Sequence, residues 1–282
     1  METFDTREPI SVRVELGVGD VRVVATERAD TVVDIQPSDR TKASDVAAAE
    51  QTFVDYANGI LSVKAPKRWK PVGRLLGPGR PFGKYDSVDV RVEVPARSHL
   101  SVDAGLASLR CSGRLGECNY RLGAGDIDVG HVCGRLDLST GSGSVRVDKV
   151  DGAAKVRNGN GDTWIGEAGG GLEVKAANGR IDVGRAEEAV TAKSANGDIH
   201  VGEVVRGVVV AHTACGNVDI GVRPGVAAWL DLQTSFGHVQ NSLDASERPG
   251  AAEAVVELRA RTSFGDITVR RAAAGEGGRG AA

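Results

Sequence analysis

Aromatic residues are scarce in this chain, at 4% of 282 residues, and the single Met is the first residue. With hydrophobic residues at 41%, the core must be built from Val, Ile, Leu and Ala. No stretch approaches eighteen consecutive apolar residues, which excludes a membrane-spanning helix. Neither sign of charge dominates: the net charge of −3 argues against a dedicated nucleic-acid binder, whose domain carries a basic excess. The first residues, METFDTREPISVRVELG, lack a basic segment followed by an apolar run, so the expectation is a cytoplasmic chain without a secretory signal. Cysteine is sparse too. Cys111, Cys118, Cys133 and Cys215 show no CxxC spacing and read as reduced thiols.

Glycine is abundant, with 38 residues, and it is periodic. The pattern G-x-[I/V]-x-[V/I] begins at Gly125, Gly143, Gly179, Gly197 and Gly216, and Gly161 fits with Thr163 in the first aliphatic place. From Gly125 to Gly197 each of these glycines stands at i+18 from the one before, and Gly216 comes one position late. The series continues irregularly at Gly237 and Gly265, with an early echo at Gly19. After each glycine, apolar residues alternate with polar ones, as a half-buried strand requires. Leu109, Ile127, Val145, Thr163, Ile181, Ile199 and Val218 form one apolar column, and Cys111, Val129, Val147, Ile165, Val183, Val201 and Ile220 the next. Between them runs Arg110, Asp128, Arg146, Trp164, Asp182, His200 and Asp219. Half a repeat later two more columns appear: Cys118, Leu136, Ala154, Leu172, Val190 and Val208, then Tyr120, Leu138, Val156, Val174, Ala192 and Val210.

Each repeat therefore holds two short strands separated by turns. One repeat cannot bury its apolar face alone, whereas stacking repeats about 4.8 Å apart does. The expected fold is all-β: a single-chain β-solenoid with coils of about 18 residues, one short helix and a basic loop insertion. Residues 1–98 are expected to form irregular first coils, including strands across 10–35, a short Ala-rich helix at 39–51 and the loop at 66–84. Residues 99–271 are expected to form the regular solenoid, and 272–282 a disordered tail. The segment VELRARTSFGDITVRR is the candidate cap of one end. In the turn column Ser142, Asn160, Asn178, Asn196 and Cys215, stacked asparagines are placed to form an amide ladder.

These residues resemble a known family. ELGVGDVRV, ANGILSVKAP, RCSGRLGEC, NGDTWIGE, the two ANG[RD]I motifs and TSFGDITV are similar to the actinobacterial β-strand-repeat proteins described as candidate adhesins, whose domain is also called a toast-rack. The resemblance runs from about residue 4 to 271. It implies a β-solenoid, carries over no catalytic residue, and brings a link to envelope-stress systems through relatives fused to membrane segments.

No catalytic constellation is visible. GSGSV at 141 leads into a strand rather than a helix, so it is no nucleophile elbow, and the GxGD runs lack the helix that a phosphate loop needs. The Asp column reads Asp126, Ser144, Asp162, Arg180, Asp198 and Asn217, without the companion carboxylates of a calcium roll. His99, His131, His200, His212 and His238 are scattered; a zinc site shared between coils is weighed against core packing of Cys111 and Cys118, which is favoured. The expectation is a non-enzymatic scaffold without cofactor or metal, which binds a protein partner or self-associates.

The candidate contact residues are Trp164 on the outward file and Lys67, Arg68, Trp69, Lys70, Arg74, Arg80 and Lys84 in the loop. That loop carries six bases and no acid, so a peripheral contact with an anionic membrane or with nucleic acid through 66–84 is the alternative, with sequence-specific nucleic-acid binding disfavoured.

Overall fold

The computed structural model describes residues 1–66, 86–243 and 255–273. Among these residues it holds 23 strands and one helix, and successive regular coils pair in parallel with residue i beside residue i+18. Leu136 lies beside Ala154, which lies beside Leu172, and Val145 beside Thr163, which lies beside Ile181. The period-2 columns thus become files of side chains inside the coil, and Leu136, Leu138, Val147, Val156, Ile165 and Val183 have no exposed surface. A further apolar file, Val132, Val150, Ala168, Ala186 and Val204, closes the second corner of each coil.

The repeat glycines form the other corner. Gly125, Gly143, Gly161, Gly179 and Gly197 all have φ between 128° and 144°. The asparagines before them do not take positive φ, so the left-handed conformation rests on glycine alone. The asparagine side chains stack instead. Asn178 Nδ2 donates to Asn160 Oδ1 at 2.8 Å, and Asn196 Nδ2 to Asn178 Oδ1 at 2.9 Å.

The one longer repeat among the regular coils corrects two columns at their last member. Its extra residue is taken up in the corner between Val204 and Val209, so Val209 and Ala211 pair with Val190 and Ala192 and are buried. Val208 and Val210, which the regular spacing places in the core, turn outward, and Val208 is exposed.

Residues 1–98 differ more. Ser11–Thr26 is a true coil, parallel to His99–Leu115 across both faces. The adjacent coil is built from Ile60–Lys64 and Val88–Pro95. Asp30–Pro37 is no coil: it runs antiparallel to Val88–Pro95, with Glu2–Asp5 antiparallel beyond it. Phe53–Ala57 likewise turns back antiparallel on Ile60–Lys64. Alternation of apolar and polar residues is the same in either direction, which is why the sequence did not separate them. The helix is Ala43–Glu50, shorter than 39–51. Asp39 is spent on a turn, accepting from Thr41 N at 2.8 Å and Thr41 Oγ1 at 2.7 Å.

Candidate functional site

The outward file stacks as its spacing requires, with Arg110, Asp128, Arg146, Trp164, Asp182, His200 and Asp219 in successive register. At Trp164 and at Asp219 the neighbours engage it closely. The Arg146 guanidinium lies 3.9 Å over the Trp164 ring, and the indole edge covers Gly166. Asp219 accepts from Arg270 Nε at 3.1 Å and sits 3.3 Å from His200 Nδ1. Trp164 is thus half-buried between a cation and a glycine rather than free-standing. Lys67, Arg68, Trp69, Lys70, Arg74, Arg80 and Lys84 lie outside the described residues; the chain leaves these at Pro66 and returns at Asp86. Residues 274–282 of the expected tail also lie outside them.

The Asp column has a structural duty. Asp126 Oδ1 accepts from the Ser144 amide, Asp162 Oδ1 from that of Arg180, and Asp198 Oδ1 from that of Asn217, at 2.7–2.8 Å. Each carboxylate thus satisfies a backbone N–H on the next coil, and the residue receiving it need not be acidic. This explains the alternation of Asp with Ser, Arg and Asn without any ion.

The sequence misplaced one end of the stack. Val255–Phe264 and Ile267–Arg271 do not cap it; they insert between the coil at Gly207–Val222 and the coil at Ala227–Phe236 and Val239–Asn241. The coil at 227–241 is therefore terminal in space although not in sequence. Among the described residues its strands pair on one side only. The inward column shows the consequence: Val218 is 1% exposed, Ile267 0%, and Val239 45%. Leu230 and Leu232 are likewise only partly covered. Trp229 and Phe236 are exposed, and Phe236 stacks on Phe264 with ring centroids 4.9 Å apart and planes 6° from parallel.

At the opposite end the antiparallel strands Glu2–Asp5 and Phe53–Ala57 are outermost, and the helix packs Ala48 into the core. The broken spacing could have signalled the insertion. The steps from Gly216 to Gly237 and from Gly237 to Gly265 both exceed the regular interval. In space Gly265 lies against Gly216, and Gly237 against Gly265.

The model of the family described as Toastrack DUF4097 matches residues 8–270. The chain belongs to this family. Two solved structures are similar in extent but distant in detail. One is a candidate adhesin from Bacteroides fragilis, 15% identical, with a TM-score of 0.39 and 95% of each chain covered. The other is a candidate cell adhesion protein from Clostridium sporogenes, 9% identical, with a TM-score of 0.20, covering 96% of this toastrack chain and 98% of that one. Neither carries the actinobacterial origin that the motifs implied. No curated protein matches.

The thiols of the toastrack core are packing residues. Cys111 and Cys118 are buried with Tyr120, whose hydroxyl lies 3.7 Å from Cys111 Sγ. Burial pushes the Cys118 thiol up to about 12 and raises that of Cys111 as well. Cys215 is exposed in the asparagine column. Iodoacetamide is expected to alkylate Cys215 in the native protein, and Cys111 and Cys118 only after denaturation. Peptide mass mapping checks this; native labelling of Cys111 would mean that the coil opens there.

Proposed function

We propose that the chain is a non-enzymatic solenoid scaffold that associates with a second copy of itself through the open edge of the coil at 227–241. The observation that carries this reading is the exposure of an inward column, with Val239 uncovered where its stacked equivalents are sealed. An uncovered coil end presents both unpaired backbone groups and apolar side chains, and a second strand satisfies both. The strand Ala227–Phe236 has one charged residue, Asp231, which lies 3.4 Å from Arg261 of the neighbouring strand. It carries no Lys or Pro, the residues that ordinarily protect an edge.

A second copy offers the same low-charge, apolar row. Two edges meeting across a two-fold axis pair antiparallel and close after two subunits. This pairing uses the same edge on both copies, so it does not propagate into a filament.

Light scattering coupled to size exclusion is expected to give twice the chain mass, persisting at high salt. Leu232→Lys combined with Val239→Lys is expected to return the monomer mass with an unchanged far-ultraviolet spectrum. A wild-type chain that stays monomeric at every attainable concentration would sink the reading.

A second reading rests on the charge of residues 66–84, six bases without an acid, and places an anionic membrane contact there. Binding of that kind weakens steeply with salt, unlike the edge pairing, and disappears when the six bases are neutralised.

A further inference from the structure

We propose that His131, Cys133 and Asp151 form a binding site for a thiophilic divalent cation, with zinc the fitting ion. Cys133 and Asp151 stand in the i, i+18 relation and occupy the same corner of consecutive coils. His131 lies two residues before Cys133, at the end of the strand Ile127–Val132. The corner backbone is held firmly: Cys133 N donates to Leu115 O at 2.8 Å and Asp151 N to Val132 O at 2.9 Å.

The three donor atoms converge. His131 Nε2 is 2.7 Å from Asp151 Oδ2 and 4.0 Å from Cys133 Sγ, and all three atoms lie within 4.8 Å of one another. This is not the geometry of a proton relay, in which thiol and carboxylate engage opposite ring nitrogens. Here both face the same nitrogen. Zinc bonds of about 2.0–2.3 Å in a tetrahedral arrangement separate donors by roughly 3.3–3.8 Å. An ion entering the cluster therefore lengthens the first contact and shortens the second, each by roughly half an ångström.

The surroundings permit the charge. A thiolate and a carboxylate neutralise a divalent ion, and the two cations in register with His131 make their salt bridges outside the cluster. Arg114 donates to Glu27 at 2.6 Å, and Lys149 pairs with Glu167 at 3.0 Å. The next corner after Asp151 is Gly169, with no side chain, so no side chain at that corner covers the fourth coordination position. The mixed sulfur, nitrogen and oxygen set selects zinc, cobalt or copper over calcium and magnesium, which demand oxygen cages.

The test uses the full chain, reduced and metal-free. Calorimetric titration with Zn²⁺ is expected to show one saturable site per chain, and Co²⁺ a thiolate-to-metal charge-transfer band. Cys133→Ser is expected to abolish that band and to lower Zn²⁺ affinity by at least about 100-fold. Asp151→Asn keeps the size of the side chain; it should retain the apo melting curve and lose the Zn²⁺-dependent rise in Tm that the wild type shows. Cys215→Ser should change none of these. Absence of saturable binding overturns the proposal, as does binding that survives Cys133→Ser or disappears with Cys215→Ser.

Discussion

Gly179→Ala is expected to destabilise the central coils by more than about 4 kcal/mol, enough to unfold much of the stack. Two costs act together. The residue sits at φ +129°, where an L side chain is strained, and its Cβ would lie 2.2 Å from Gly161 O and 2.6 Å from Gly161 C. Those atoms belong to the backbone of the neighbouring coil, which its own pairings hold in place, so they cannot withdraw. Stability in a stack of repeats is a sum over neighbours, and a breach at Gly179 removes coupling on both sides. Gly171 supplies the control: nothing lies within 4 Å of a Cβ there, and Gly171→Ala should stay within about 0.5 kcal/mol. Urea denaturation measures both, and a wild-type midpoint for Gly179→Ala would show that the coils are not in this register.

Asn158→Leu is expected to cost about 2–4 kcal/mol, because it leaves the part-buried carbonyls of Gly143 and Gly161 without their side-chain donor. Asn158 is 3% exposed, and its Nδ2 donates to Gly143 O at 3.0 Å and to Gly161 O at 2.9 Å. The reason for a double duty lies in the adjoining residues. Thr213, Thr262 and Thr234 in the same inward file each donate to a corner glycine carbonyl at 2.9 Å. Ala176, stacked next to Asn158, has no donor for the equivalent carbonyl of Gly161, and the second N–H of the Asn158 amide supplies it.

A specific coupling follows. Asn158→Thr alone should cost about 1–3 kcal/mol by stranding Gly161 O, and Ala176→Thr added to it should restore most of that loss. A double-mutant cycle by urea denaturation reads this directly. Strict additivity would mean that water, not Asn158, serves the carbonyl.

Much of the candidate chemistry was hidden from the sequence for identifiable reasons. His131 and Cys133 are near neighbours, but Asp151 joins them only when the corners of two coils are superposed, and no strand column contains those corners. The polar file through Thr140, Asn158 and Ser194 mixes residue types and includes Ala176, so it shows no pattern as letters. Its logic is a shared acceptor, the glycine carbonyl. Trp164 was visible as an odd residue on a polar file, and its contact with Arg146 follows from the repeat spacing alone.

By itself, the sequence determined the repeat: its period, two strands, a glycine corner, an asparagine ladder and an aliphatic interior. Each of these is local or nearest-neighbour, so periodicity encodes it. Tertiary structure alone decided the order of the coils and which segments finish each end. A parallel ladder accepts any copy of the motif beside any other, so spacing does not say that 255–271 lies inside 227–241. Nor does alternation distinguish the antiparallel strands that seal the first coil from the parallel ones that build the rest. Which apolar column stays open is settled by how those non-repeating segments pack.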